Sequence, residues 1–324
     1  MKAAIFPIST LGDGLIFTIL AQGLSNSGFE TTLFSSTLSE LGSILKDFNT
    51  KDCDQLEKID FFLESCDLII CDPHNAEINS LLSTKENFLK KTVWVTCTRC
   101  PEKYLEKKVH LHNFKFASGA LYNKEHSGCN MVQHAVNFCK NSWNLSEIKS
   151  TPNIEILKNY KFQRNKNRVC IFPYTPEKEK TYHICGFEKI ALELKKNAAD
   201  PVFIGTKKQL TKFRENRNTC TIPFISFESI FELAIYIYES GFVIANDSGG
   251  GHLASLLNIP TVTIHKKNNS FKWKPGWRKS YIVTPIITLK FFGQRIWSPF
   301  IPKKKIINHV MNYNKKKPSQ RNDI

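Results

Sequence analysis

Along this chain, short apolar runs rich in β-formers alternate with longer stretches of helical spacing. The first half predicts strands at residues 2–8, 30–35, 56–59, 67–71 and 92–96, with helices at 15–24 and 38–46. A third helix is expected over 131–143, and the polar run Ser150-Thr-Pro-Asn153 marks a passage to a second series. That series predicts strands at 169–172, 201–204, 242–245 and 261–264, with helices at 184–197, 208–216 and 228–238. Short buried strands alternating with helices imply an α/β chain with parallel sheets. The expected division is a first domain over 1–155, a second over 156–310, and a basic, disordered tail over 311–324.

Candidate chemistry concentrates in the connection between the strands at 242–245 and 261–264. Asn246-Asp-Ser-Gly-Gly-Gly251 reads as a loop of turn residues, and His252-Leu-Ala-Ser-Leu-Leu257 as the start of a helix. In a βαβ unit such a loop lies at the carboxyl edge of the sheet, where open α/β proteins bind ligands. Gly249, Gly250 and Gly251 let backbone N–H groups approach an anion, and the helix start favours phosphate. A carboxylate repels phosphate, so Asp247 is expected to accept hydrogen bonds from hydroxyls attached to it, as a sugar offers. The alternative is that Asp247 or Ser248 only caps the helix. A second acidic position, Asp13, stands between Gly12 and Gly14 in the expected loop 9–14. Flanking glycines leave it accessible to a substrate hydroxyl, against the alternative of a turn-forming Asp.

Asp247-Ser248-Gly249-x-x-His252-Leu-Ala254 followed by Pro260-Thr-Val262 resembles the signature of glycosyltransferase family 9, the ADP-heptose:lipopolysaccharide heptosyltransferases. Ser9-x-Leu11-Gly12-Asp13 is similar to that family's N-terminal Leu-Gly-Asp motif, and Lys180-x-Tyr182 to its Lys-x-aromatic segment, where tryptophan is usual. The resemblance implies a GT-B fold, two Rossmann-like domains with parallel sheets facing across a cleft, and inverting sugar transfer without a metal or cofactor. It implies Asp13 as catalytic base and Lys180 as the cation for the donor phosphates, with Lys178 a competitor two residues away. Ser248, Gly249, Gly250, Gly251 and His252 join Asp247 as donor-binding candidates; Thr10, Gly12, Gly14 and Tyr182 are further candidates. His252 would assist the phosphate if protonated, or serve packing or capping. His265-Lys-Lys-Asn268 departs from the family's usual Phe-Gly-Pro-Thr, whereas Trp273-Lys-Pro-Gly-Trp277 resembles its Trp-x-Pro loop. That departure leaves open which nucleotide sugar is the donor, ADP-heptose or another.

Composition narrows the remaining classes. With 41% hydrophobic and 12% aromatic residues, 324 residues can fill two α/β cores. Pro7, Gly12, Asp13 and Gly14 interrupt an N-terminal run that otherwise imitates a secretion signal, so a first strand, turn and helix is expected instead. No uncharged apolar run reaches membrane-spanning length. Ten cysteines without scaffold-like spacing point to reduced thiols in a cytoplasmic protein, with Cys97-x-x-Cys100 a weak zinc candidate. The mixed basic and aromatic stretch 99–130 suits either an acceptor-holding loop or a solvated face, and His74 reads as a loop histidine. A net charge of +16 calls for an anionic partner. Three readings follow: a heptosyltransferase acting on a lipopolysaccharide core acceptor at the inner face of the cytoplasmic membrane, the same fold with another nucleotide sugar, or a catalytically silent protein of that fold holding anionic glycolipid or nucleic acid. Nucleic acid ranks last as a partner.

Overall fold

The structure, a computed structural model, describes all residues except 54–55, 217–219, 268–270, 279, 292–293 and 316–324. The chain divides into two units, Met1–Leu157 and Lys158–Ile324.

Unit one runs β1 (Lys2–Phe6), α1 (Leu11–Asn26), β2 (Glu30–Phe34), α2 (Ser36–Ser39), β3 (Asn49–Lys51), α3 (Leu56–Glu64) and β4 (Leu68–Cys71). It continues through α4 (Ala76–Ser83), α5 (Glu86–Lys90), β5 (Thr92–Thr96) and α6 (Glu102–Leu105). A hairpin of β6 (Lys108–Leu111) and β7 (Phe114–Ala117), then β8 (Gly119–Ala120) and α7 (Met131–Trp143), complete it. The main sheet has the order β3-β2-β1-β4-β5-β8, and every pair is parallel. Ala3 to Phe6 at its centre are wholly buried, as the apolar run requires. The chain passes from β1 to β2 on one side while β4 lies on the other, so the connections after β1 and β4 diverge.

Three sequence expectations are corrected here. The strand expected at 56–59 is the helix α3; Ile59 and Leu63 are buried while Phe61 is 82% exposed, a helical rather than alternating pattern. The helix expected over 38–46 is confined to Ser36–Ser39 and capped by the Ser35 side chain. The loop expected at 9–14 is largely helix, because Thr10 caps α1 and Gly12, Asp13 and Gly14 form its first turn. Neither glycine there has a positive φ, and Gly14 leaves room for Leu38, whose Cδ1 would lie 3.1 Å from an added Cβ.

Unit two runs β9 (Asn165–Phe172), α8 (Ile184–Lys196), β10 (Asp200–Ile204), α9 (Lys207–Asn216), β11 (Phe224–Ile225) and α10 (Ile230–Tyr238). There follow β12 (Ser240–Asn246), α11 (Gly249–Leu256), β13 (Thr261–Ile264), β14 (Tyr281–Val283), the antiparallel ribbon β15 (Leu289–Phe291) and β16 (Gln294–Ile296), and α12 (Lys303–Lys315). Its sheet, β11-β10-β9-β12-β13-β14, is again all parallel and repeats the order of unit one. Phe187, Ile190 and Leu194 of α8 and Ile306 and Val310 of α12 pack into one core with the strands. The tail expected from 311 is corrected by this packing: Met311 and Tyr313 lie against the core, and the helix continues through Lys315. The rest of that expected tail, 316–324, lies outside the described residues. The loop expected at 246–251 likewise shortens, since Gly249, Gly250 and Gly251 are the first turn of α11.

β9 and β12 pair in parallel at the middle of the unit-two sheet, and their register shifts between Ser240 and Phe242. Gly241 sits at the shift, where an added Cβ would fall 1.8 Å from the Lys166 carbonyl oxygen. Backbone cannot rotate aside as a side chain can, so Gly241→Ala should destabilise the protein by about 3 kcal/mol or more. Urea unfolding would measure it, and an unchanged midpoint would refute this account of the strand pair.

Candidate active site

In unit one, Thr10 places its side chain over the first turn of α1. Its hydroxyl donates to Asp13 Oδ2 at 2.5 Å and accepts from the Asp13 N–H at 3.4 Å. The half-buried Asp13 carboxylate therefore lies at the positive end of the helix. Beyond the end of β4, Asp72 is 2% exposed, and its Oδ1 accepts both the His74 N–H and His74 Nδ1 at 2.9 Å. Burial pushes the Asp72 carboxyl up from its ordinary value, the His74 bonds pull it back, and the nearby Asp13 charge pushes it up again. Cys97, just after β5, is buried and hydrogen-bonded to Asp13; burial first, then the charge of Asp13 and the bond to it, hold this thiol well above its usual range. Three strand ends thus gather Asp13, the Asp72–His74 pair and Cys97.

Cys100 is also buried, its Sγ 3.9 Å from the Trp94 carbonyl oxygen, and the ten cysteines form no disulfide. Among the described residues no group of three or more His, Cys, Asp or Glu is placed to hold a metal ion. An Asp-x-Asp triplet, Asp52-Cys53-Asp54, follows the edge strand β3, two strands from β1, and Asp54 lies outside the described residues. Two open cavities of about 620 and 840 Å³ occupy other faces of unit one, beside Phe48 and beside Val109, and touch none of the residues above.

In unit two, the segment after β9 turns through a short 3₁₀ helix, Lys178–Lys180. Lys180 Nζ pairs with Glu177 Oε1 at 2.6 Å, Lys266 Nζ with Glu179 Oε2 at 3.0 Å, and Lys178 is exposed. Asn246, the last residue of β12, ties this segment down: its Oδ1 accepts the Tyr182 N–H at 2.9 Å and its Nδ2 donates to the Pro173 carbonyl at 2.8 Å. Next along the chain, Asp247 Oδ2 lies 3.8 Å from Nδ1 of His265, whose side chain is 1% exposed against 18% for Asp247. That spacing would suit an ion pair, but burial, and then the charge of Lys180, lower the His265 pKa to about 4. The imidazole is therefore neutral near pH 7, and the contact is one of a carboxylate with a dipole. His265 Nε2 is fixed by Thr263 Oγ1 at 3.0 Å. Lys180, Asp247 and His265 converge where the connections after β9 and β12 part.

Ser248 has extended N-cap geometry before α11 but makes no side-chain cap bond, and its buried Oγ has no hydrogen-bond partner in the structure. The capping alternative for Ser248 therefore fails. The glycine triplet answers to packing: a Cβ on Gly250 would meet the Phe172 ring at 2.6 Å, and one on Gly251 would meet Thr263 Cγ2 at 3.1 Å. Two of the three glycines thus seat the helix on the sheet. His252 is 4% exposed, with its ring edge-on to Trp277 at 6.2 Å, the geometry of a packing residue. Tyr182 is corrected from candidate ligand contact to core residue: it is 1% exposed against Phe187 and Trp297, and burial pushes its hydroxyl up to about 12.

The sequence does not place Asp72, Cys97 or His265 in either cluster: Asp72 carries no signal there, Cys97 is read only as a weak zinc candidate, and His265 only as part of a departure from the family pattern. Each follows directly on a strand end, β4, β5 and β13 respectively, and that position is the signal that finds them.

Two α/β units, each built on an all-parallel six-stranded sheet of this strand order, have the GT-B glycosyltransferase fold. The pattern of glycosyltransferase family 9 (heptosyltransferase) matches residues 113–289, more than half of the chain, and the chain belongs to that family. ADP-heptose lps heptosyltransferase II of E. coli is similar in structure at 14% identity, with a TM-score of 0.66 over 97% of this chain and 98% of that one. A family 9 glycosyl transferase from Veillonella parvula gives 0.69 at 12% identity, covering 97% of each chain. The E. coli heptosyltransferase WaaC with ADP gives 0.63 at 11%, covering 97% of this chain and all of that one. No curated protein sequence matches the chain.

The buried neutral imidazole has a consequence for acid stability. The folded value for His265, about 4, lies below the 6.5 of an ordinary histidine, so the unfolded chain takes up the proton first. The stabilisation is fully present above pH 6.5 and falls as the pH drops toward 4, by about 2–3 kcal/mol. Urea midpoints at pH 7 and 4.5 should therefore converge in His265→Gln relative to wild type; an equal acid loss in both would refute the assignment.

Proposed function

We propose that this glycosyltransferase performs inverting, metal-independent transfer of heptose from ADP-heptose to a lipopolysaccharide core acceptor. The observation that carries the reading is the convergence of Lys180, Asp247 and the α11 N-terminus at the strand ends of unit two, within the stretch that matches the family. Support for an adenosine diphosphate donor comes from the similar proteins, whose descriptions name ADP or ADP-heptose.

On this reading the acceptor hydroxyl oxygen attacks the anomeric carbon from the face opposite the diphosphate. The new C–O bond forms as the bond from that carbon to the phosphate oxygen breaks, which inverts the centre. Asp13 takes the hydroxyl proton, its carboxylate held in place by Thr10 and Cys97. The departing nucleoside diphosphate carries the developing negative charge, which Lys180 and the first-turn N–H groups of Gly249 and Gly250 meet, the Gly251 N–H being donated to the Ser248 carbonyl at 3.1 Å. Lys180 must leave Glu177 to do so, an inexpensive exchange because the pair is exposed. Asp247, held beside neutral His265, accepts hydrogen bonds from the donor sugar hydroxyls. Ser248 Oγ offers a further donor or acceptor there.

One observation favours a variant donor. The family departure at His265 and Lys266 forms a wall of this site, with Lys266 only 20% exposed, so a nucleotide sugar bearing an extra anionic group would find a cation there. A lipid-borne acceptor places the enzyme in the cytoplasm at the inner face of the membrane, in peripheral contact with it. No helix among the described residues is long and apolar enough to cross a bilayer.

Asp13→Ala should cut turnover at least about 100-fold while leaving ADP-induced thermal stabilisation intact. Turnover at the wild-type rate would remove Asp13 as the base. Lys180→Ala should weaken ADP binding about tenfold or more in calorimetric titration, and unchanged affinity would displace Lys180 from the phosphate role. Stabilisation by none of ADP-, UDP-, GDP- and CMP-sugars would favour a binding protein without catalysis.

A further inference from the structure

The net positive charge of this protein comes from one part of the sequence. Residues 1–157 carry 15 basic and 18 acidic side chains, a net −3, so the remainder carries +19. From Ser248 to Ile324 there are fifteen lysines and arginines and one acid, Asp323. No fold requires a run of 75 residues, 248–322, without a carboxylate, and self-repulsion on this scale weakens a compact state.

The same run bears a cluster of exposed aliphatic side chains. Ile286 is 76% exposed, Ile287 54%, Leu289 49% and Ile296 40%. Among the described residues these are four of the ten exposed large hydrophobic side chains, brought together within eleven positions. The ribbon β15–β16 explains the grouping. Leu289 stands opposite Ile296 and Lys290 opposite Arg295, so the first pair puts aliphatic side chains on one face of the ribbon and the second puts basic ones on the other. Two like charges directly opposite each other destabilise a ribbon unless an anion neutralises them. The ribbon stands apart from the six-stranded sheet, and its base is closed by the Ile286 N–H donating to the Phe300 carbonyl at 3.1 Å. Lys303, Lys304 and Lys305 follow at the start of α12, the last two exposed.

We infer that the ribbon, with Ile286 and Ile287 at its entry, is a membrane-docking element that seats its aliphatic face in the headgroup region of an anionic bilayer. Aliphatic side chains gain by leaving water for the acyl boundary, and lysines and arginines near the surface add attraction to anionic lipid. Nucleic acid would account for the charge but not for these side chains, since unpaired bases stack on aromatic rings rather than on isoleucine. The inference deepens the proposed peripheral contact by naming the surface that makes it. It requires neither the donor nor the base assignment, so the test below uses no sugar nucleotide, and its failure is distinct from theirs.

Flotation of the full chain with vesicles of equal parts phosphatidylethanolamine and phosphatidylglycerol, and with phosphatidylcholine vesicles, tests it. Wild type should float with the anionic vesicles and not with the neutral ones, and high salt should weaken the association without abolishing it. The triple variant Ile286→Ser, Ile287→Ser, Leu289→Ser should bind at least about tenfold more weakly, with an unchanged thermal midpoint because all three side chains are already exposed. Lys304→Glu with Lys305→Glu should weaken binding to anionic vesicles only. The inference is overturned if wild type ignores anionic vesicles, if the triple variant floats as wild type does, or if a single-stranded oligonucleotide is held more tightly than the vesicles and equally by both proteins.

Discussion

A parallel sheet cannot return its chain by a simple turn, so every strand end must launch a crossover, and where neighbouring strands launch in opposite directions the space beyond them stays uncovered. Both units of this protein obey that constraint in the same place, between the first strand of the sheet and its fourth or corresponding neighbour. What differs is the chemistry set there. Unit one gathers carboxyl groups and a thiol around the start of α1, whereas unit two gathers a lysine, a carboxylate and a buried imidazole around the start of α11. The carboxylate and the cation that the proposed transfer calls on are thus products of one topology used twice.

Each helix start also answers to packing. The Phe172 ring lies where a side chain on residue 250 would have to go, and Leu38 presses similarly toward Gly14. Asn246 satisfies the Tyr182 N–H and the Pro173 carbonyl, which are buried groups that would otherwise be costly to leave unpaired. The loops that bring Lys180 and Asp247 together are therefore held by the core of unit two rather than by the two side chains themselves.

Much of this architecture is legible in the sequence because buried parallel strands announce themselves as short apolar runs. Thr92–Thr96, Thr261–Ile264 and the helix Met131–Trp143 occur where hydrophobic spacing places them. The polar edge strand Asn49–Lys51 has no such run, and 56–59 reads as a strand instead of the helix Leu56–Glu64 because that window is too short to separate a helical period from a strand. Both helix starts were set too late because glycine reads as a break, although in α1 and α11 it is helical and chosen for what lies beneath it. Asp13 and Asp247 stood out by their glycine neighbours, and Lys180 by family resemblance. Asp72, Cys97 and His265 did not, because their proximity depends on strand order, which no local pattern encodes.

The thiols buried on the way to that order form a built-in probe. Burial pushes Cys139 in unit one far up and Cys170 in unit two up to about 12, and both are wholly enclosed. A thiol in that state is a poor nucleophile until the structure around it opens. Alkylation at these two positions, resolved by mass, therefore timestamps the opening of each unit separately, with no substitution made and no label built into the chain.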